Sequence, residues 1–323
     1  MSAEPHRFDV TTLGEAMLRL SVPSGARLDD TRSFDVEIGG AESNVCVALA
    51  RLGRRCGWVG RLPANPLGNA VLRALRSDGV DTSAVRQVSG ERLGAYFIEY
   101  AAPPRASQVI YDRAGSAAAH MTVEDIDWDY LLNSRILHLT GITAALSASC
   151  YAVVAEAIRR ARAAGVLVSF DVNYRAKLWD AATAGAQLRP LIAEADVLFC
   201  KSSDATLLFG CNGGVDEVLG GLRELTRATA IYTTVGAEGA AMLHHGVTTR
   251  RAAVPVQIVD RVGSGDAFAA GVLDGILDDD PGLGIERGVA LAAIALTQFG
   301  DRVLSSRSEL EAVMRQGSTD IAR

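Results

Sequence analysis

Apolar and β-branched runs alternate along this chain with segments of helical period. Six runs predict strands: FDVTTLG (8–14), CGWVG (56–60), ILHLTG (136–141), VLVSFDV (166–172), DVLFC (196–200) and AIYTTVG (230–236). In NVCVALARLG, Val45, Ala48, Leu49 and Leu52 recur at the spacing of one helix face, and Gly53 supplies a stop. In CYAVVAEAIRRARAAG an apolar face runs into a basic last turn and Gly165, which suits the helix dipole. Repeated alternation of this kind predicts an α/β fold, a mostly parallel central sheet with helices on both faces. Two regions break the rhythm. Residues 92–101 (RLGAYFIEYA) and 107–113 (SQVIYDR) predict paired strands joined by APPRA, and 28–39 (LDDTRSFDVEIG) a further strand. These make a small β lid, with strands at about 28–39 and 92–113, inserted in one domain spanning 1–323.

Composition narrows the class. The 323 residues are 49% apolar and 22% charged, enough for a substantial core. A net charge of −6 gives no reason to expect nucleic acid or an anionic membrane as partner. MSAEPHRFDV has no basic region followed by an apolar stretch, so no secretory signal is expected, and no run is apolar enough for a membrane span. Five cysteines, at 46, 56, 150, 200 and 211, form no C-x-x-C; reduced thiols in a cytoplasmic core are the expectation. The only lysines are Lys177 and Lys201, and neither follows a glycine loop, which excludes a Walker-type phosphate site. There is no H-E-x-x-H and no G-x-S-x-G, and His138, in an apolar strand, reads as a core histidine.

Four segments could carry chemistry. In VDRVGSGDAFAAG (259–271) a strand-like stretch ends near Asp260, Gly263, Ser264 and Gly265 make a turn, and a helix begins at about Asp266. Backbone N–H groups of such a turn form an anion site at the positive end of a helix. Asp266 beside it could take a proton from an attacking hydroxyl, or could serve only as a helix cap. In IGGAESNVCVALARLG (38–53), Gly39 and Gly40 allow close backbone approach and Asn44 offers a donor and an acceptor to a polyol; a plain glycine turn before a helix is the other reading. In FDVNYRAKLW (170–179), Asp171, Asn173 and Arg175 follow a strand, at the sheet edge where α/β proteins bind ligands, though Arg175 could equally be a solvated loop residue. TTVGAEGAAM (233–242) could be a flat loop beneath a nucleotide or a plain hairpin.

Together the four segments resemble the ribokinase-like (PfkB-type) carbohydrate kinases over nearly the whole chain. GGAESNVCVALARLG looks like that family's N-terminal signature and DRVGSGDAFAAG like its C-terminal Asp-x-x-Gly-x-Gly-Asp, about 220 residues later. Within the family, GGAESNV, GAYFIEY, IYDRAGSA, HLTGIT, DVNYRAKLW and a late FGD are most similar to the 2-keto-3-deoxygluconate kinase branch. The resemblance implies a ribokinase-like fold, ATP and Mg²⁺ as cofactors, and phosphorylation of 2-keto-3-deoxygluconate to its 6-phosphate. It implies Asp266 as general base, with the N–H groups of Gly263, Ser264 and Gly265 holding the transferred charge. It implies sugar contacts at Gly40, Asn44, Tyr96, Tyr111, Arg113, Ile142, Arg175, Asp266 and Asp301. ATP would be bordered by Asn173, Lys201, Thr234, Gly236, Glu238, Gly239, Gly263 and Gly265, and Mg²⁺ by Asp204. Arg113 and Arg175 match a substrate carboxylate, and burying two arginines there would make little sense for a neutral sugar. A fructose-like ketose, a deoxygluconate isomer, or sugar sensing without strong catalysis are the alternatives. The chain departs from the family at Arg261, at KSSD (Lys201 to Asp204) in place of N-x-x-E, and at Val289, all on the nucleotide side. Lid edges predict a homo-oligomer.

Overall fold

The computed structural model describes residues 6–101 and 104–316. The first half forms β1 (Phe8–Leu13), β2 (Met17–Ser21), β3 (Asp35–Gly39), α1 (Ala41–Arg51), β4 (Cys56–Val59), β5 (Arg61–Pro63), α2 (Pro66–Ser77), β6 (Arg86–Val88), β7 (Ala95–Glu99) and β8 (Gln108–Asp112). Then follow α3 (Trp128–Leu131), β9 (Ser134–Thr140), α4 (Gly141–Ala145), α5 (Ala148–Ala164), β10 (Leu167–Asp171), α6 (Ala181–Ile192), β11 (Val197–Phe199), α7 (Ser202–Phe209) and α8 (Val215–Arg223). The last part holds β12 (Ala230–Thr234), β13 (Ala240–His244), β14 (Val247–Arg251), α9 (Ser264–Leu277), α10 (Pro281–Leu296) and α11 (Arg307–Gln316).

The main sheet runs β14-β13-β12-β11-β10-β9-β1-β4. From β12 to β4 every pairing is parallel; β13 and β14 add an antiparallel edge. The six strands expected from the apolar runs are these six parallel strands. Strand alternation sends successive side chains to opposite faces. In β11, Val197 and Phe199 join one apolar cluster with α1, α9 and α10, whereas Leu198 joins a second with α5, α6 and α8. Two cores of this kind put helices on both faces of the sheet.

Local signals set the helix ends. The Ser147 hydroxyl accepts from the Cys150 N–H at 3.1 Å and starts α5, whose buried stripe is Cys150, Val153, Val154, Ala157, Ile158 and Ala161. Gly165, at φ 74°, closes it in the left-handed conformation. Each fully buried Val or Ile side chain in such a stripe contributes about 1.5–3 kcal/mol, an alanine methyl less.

A second sheet, β3-β2-β7-β8, sits beside the first. β7 and β8 pair antiparallel, with Tyr96 opposite Tyr111; Ala102 and Pro103, in the expected APPRA connection, lie outside the described residues. Of the expected strand 28–39, only Asp35–Gly39 is strand. Residues 28–34 are turn and irregular chain instead, tied down by the Leu28 N–H on the Glu99 carboxylate at 3.0 Å. β2, which carries the sheet's centre, has no counterpart among the strands expected from the sequence. The strand-like stretch before Asp260 is also not a strand. The N–H groups of Val259 and Asp260 bond to the Leu296 carbonyl at the end of α10, and Ile258 and Val259 are exposed. Among the described residues no helix is long and apolar enough to cross a membrane. All five cysteines are buried and free.

Candidate active site

A cleft of about 830 Å³ opens between the two sheets at the C-terminal ends of the parallel strands. At its centre is the start of α9. Gly263 is the N-cap at φ 82°, a conformation that favours glycine, and a Cβ there would lie 2.0 Å from the Asp301 carbonyl oxygen. The helix begins at Ser264, two residues before the position expected from the sequence, because Gly263 already accepts the Ala267 N–H at 2.9 Å. Ser264, Gly265 and Asp266 therefore occupy the first three helical positions, whose N–H groups have no intrahelical acceptor. Their N–H groups and the helix dipole favour an anion at this end.

Asp266 is buried and makes no capping bond. Its Oδ2 accepts instead from the Asn44 side-chain amide at 2.7 Å. Burial pushes its carboxyl up to about 7; the Asn44 bond and Arg175 oppose the rise, and Asp171 and Asp301 add to it. A carboxyl titrating there is matched to proton transfer near neutral pH. The Asn44 Oδ1 is buried with no partner among the described residues, while one of its two amide hydrogens is committed to Asp266, so the acceptor expected for a polyol is spare and the donor is shared with the carboxylate.

One end of the cleft is built from the small sheet. Tyr96 and Tyr111 stack at 5.5 Å, and the Arg113 guanidinium lies 5.6 Å from the Tyr111 ring. Arg113 is ion-paired with Glu15, a buried carboxylate that also accepts from the Ser116 hydroxyl at 2.9 Å. Burial raises the Glu15 carboxyl although Arg113 and Ser116 pull it down. Gly40 packs against the Glu15 backbone: a Cβ would meet its carbonyl at 2.2 Å. The Tyr96 hydroxyl donates to Asp301, and Ile142, at the start of α4, closes the floor. Arg175 departs from expectation. It is exposed at the cleft rim, on the loop after β10, and makes no ion pair among the described residues, so only Arg113 of the expected pair is substantially enclosed.

The other end is more apolar. Asp171 ends β10, and the Asn173 N–H donates to its Oδ1 at 3.0 Å, holding Asn173 at φ 38°. Burial lifts the Asp171 carboxyl to about 7, Asn173 and Arg175 opposing and Asp204 assisting. Asp204, in the first turn of α7 beside Lys201, is likewise raised by burial. TTVGAEGAAM is a hairpin, β12 to β13, and it also lines the cleft through Thr234, Gly236 and Gly239. Glu238 is a correction: it is exposed and does not line the cleft, since the 3-10 turn Gly236–Glu238 presents Gly236 and Ala237 there. Val289, Ala293, Val254 and Val256 make an apolar wall, and Arg261 is exposed at its edge. Gly39 does not line the cleft but lies behind it, where a Cβ would meet Tyr96 and Asp301; the other site residues expected from the sequence line this one cleft. Asp171, expected at this sheet edge without an assigned role, lines it too, and so does Glu15, which lay outside the expected site. The position of Glu15 just past the end of β1 is the signal that could have found it.

The two carboxylates at this end, Asp204 and Asp171, are a hard oxygen donor set of the size magnesium uses when most of its ligands are phosphate and water. No group of three or more candidate metal ligands occurs among the described residues, so a dedicated protein cage is not what the donors fit.

The model of the pfkB family carbohydrate kinases matches residues 7–307. The chain is 34% identical over 316 residues to a Haloferax volcanii protein named 2-dehydro-3-deoxygalactonokinase, covering 98% of this chain and 99% of that one. It is 32% identical over 316 residues to a Thermoproteus tenax protein named 2-dehydro-3-deoxygluconokinase, covering 95% and 94%. The crystal structure of a 2-dehydro-3-deoxygluconokinase from Thermotoga maritima superposes with a TM-score of 0.88 at 35% identity, covering 96% of this chain and 99% of that one.

Proposed function

Because the chain belongs to the pfkB family of carbohydrate kinases, we propose that it transfers the ATP γ-phosphoryl group to the terminal hydroxyl of 2-keto-3-deoxygluconate, giving the 6-phosphate. ATP-dependent carbohydrate kinase activity comes with the family; substrate and residue roles are our reading. One observation carries it: the buried Asp266 carboxylate stands on the anion-binding turn of α9, in the same cleft as Tyr96, Arg113 and Arg175.

In this reading the sugar acid lies under the small sheet, against Tyr96, Tyr111, Gly40 and Ile142, its carboxylate toward Arg175 and Arg113. Since Arg113 already answers Glu15, Arg175 is the cation left to the substrate. Asp266 accepts the hydroxyl proton as the oxygen attacks the γ-phosphorus, and the N–H groups of Ser264 and Gly265, with Gly263, stabilise the charge on the moving phosphoryl group. The adenine rests on the Val254–Val289 wall, with the phosphates reaching Asn173, Lys201, Thr234, Gly236 and Gly239. Asp204, with Asp171, would hold Mg²⁺, which supplies charge neutralisation between the phosphates when bound. The small sheet acts as a lid that keeps water from competing as acceptor.

The likeness to the Haloferax protein supports a second reading in the same class, the C4 epimer 2-keto-3-deoxygalactonate. A coupled ADP-release screen over both acids and neutral ketoses decides. Turnover only with neutral ketoses would remove the sugar-acid assignment. We also place the protein in the cytoplasm, where its buried thiols stay reduced, as a homo-oligomer joined through the lid. Support comes from an apolar row across the lid's outer face, Val36–Leu20–Phe97–Ile110, in register, with Val36 61% and Ile110 52% exposed.

A further inference from the structure

Among the described residues, one fully buried charge belongs to a residue that neither of the signature segments contains. Arg19 lies mid-way along β2, on the sheet face that looks toward the cleft, beside Glu37 on β3 and Tyr96 on β7. It has no solvent exposure. Its guanidinium makes ion pairs with both Asp260 and Asp301 and a hydrogen bond to the Tyr100 hydroxyl, and its Nε lies 3.4 Å from Glu37.

The two aspartates frame the catalytic turn. Asp260 Oδ1 accepts the Val262 N–H at 3.1 Å, which bends the chain into Gly263. Its other oxygen takes Arg19 and, at 2.7 Å, the Tyr100 hydroxyl. Asp301 packs its carbonyl on Gly263 so closely that no Cβ would fit, and its carboxylate oxygens are divided between Arg19 and Tyr96. A single side chain of the small sheet thus holds the residue that opens the anion turn and the residue that backs it.

Stability alone is a poor reason for such an arrangement. Buried ion clusters cost so much desolvation that apolar replacements of similar volume are often as stable or more so. What the ionic cluster supplies is direction: each carboxylate has one orientation that satisfies the guanidinium, and both backbones follow. Without the cation, Asp260 and Asp301 would face one another in a buried interior, with the half-buried Glu37 at its edge.

We propose that Arg19 is a positioning residue for phosphoryl transfer, which couples the seating of the small sheet to the geometry of the Gly263–Asp266 turn. The proposal rests on the reading of that turn as the phosphoryl site. It does not depend on which acceptor is used.

The test compares Arg19→Lys and Arg19→Ala with the unaltered enzyme, on whichever acceptor the ADP-release screen finds. If no sugar acid is turned over, the substrate assignment fails while this comparison stands. Displacing the turn by about 1 Å is enough for a loss near 10²-fold, so kcat should fall at least about tenfold in both variants. KM for ATP should stay within about threefold, because the nucleotide wall has no contact with Arg19, while KM for the acceptor rises through Tyr96 and Asp301. Added guanidinium should restore part of kcat to Arg19→Ala and none to Arg19→Lys. A purely structural role predicts a lower Tm with kcat and both KM values per folded molecule within about twofold of normal, and that result overturns the proposal. Should neither variant fold, Asp260→Asn, which keeps shape and removes one ion pair, decides on the same kcat criterion.

Discussion

The two ends of the cleft are built by different means. The end under the small sheet is wired by buried charge: Glu15 with Arg113, Arg19 with Asp260 and Asp301, Tyr96 on Asp301. The end beneath the β12–β13 hairpin carries two carboxylates with no ion pair among the described residues, Asp171 and Asp204, and otherwise relies on backbone, glycines and an apolar wall, with Arg261 and Lys201 exposed. A bound acceptor hydroxyl must be aimed to within fractions of an ångström, and ion pairs with fixed hydrogen-bond directions do that. A purine and a flexible triphosphate chain tolerate more variation, because apolar contact is non-directional and backbone N–H groups serve any anion. In the proposed reading, residues on the nucleotide side such as Arg261, Lys201 and Val289 can therefore vary without disturbing the acceptor end.

The contrast is broken most directly at the turn the two ends share. Asp266→Asn should lower kcat by about 10²-fold or more while the acceptor still binds, measured by steady-state kinetics and calorimetry. Near-normal turnover would show that Asp266 is not the base. At the acceptor end, Arg175→Ala should raise KM for a sugar acid about tenfold, the modest figure reflecting its exposure, and leave a neutral ketose unaffected. Equal losses on both would assign Arg175 a structural part.

The pH dependence sharpens the same point. Burial raises Asp266 from 3.8 to about 7 in the folded chain, so the folded state binds this proton more tightly than the unfolded state does. That contribution to stability is complete below the unfolded value and is lost as pH rises through about 7. Asp266→Asn should therefore raise Tm over the unaltered protein at about pH 8.5 and much less at about pH 5. Activity runs the other way, since a base must be ionised: kcat/KM should climb with pH to a shoulder near 7 set by Asp266. An equal Tm shift at both pH values would contradict the buried, protonated carboxyl. The smallest effect belongs to the nucleotide end: Val289→Asn should change KM for ATP by less than about threefold, since it alters one patch of a non-directional wall. A tenfold change would erase the distinction between the two ends.

Much of this was open to reading from local pattern. Apolar and β-branched runs marked the six parallel strands, and a basic last turn with Gly165 marked the end of α5. Glycine spacing marked the turn at Gly263, although the helix there starts at Ser264 because Gly263 itself takes the cap. Local pattern misled where tertiary bonds replaced a ladder. The stretch before Asp260 looks like a strand, but its N–H groups go to Leu296, and Glu238 sits in a glycine loop yet is exposed and no part of the cleft lining.

Local residue pattern carries the alternation of strands and helices, the glycine turn with its carboxylate, and, through two signatures, the kinase family. Only the tertiary structure decided which charges meet. Arg19 reaches Asp260 and Asp301 across 241 and 282 residues, and Glu15 claims Arg113 across 98. Periodicity and capping act within a few turns of chain and leave a local imprint. An ion pair between distant segments leaves none, because the burial that makes it matter exists only once the sheets have packed.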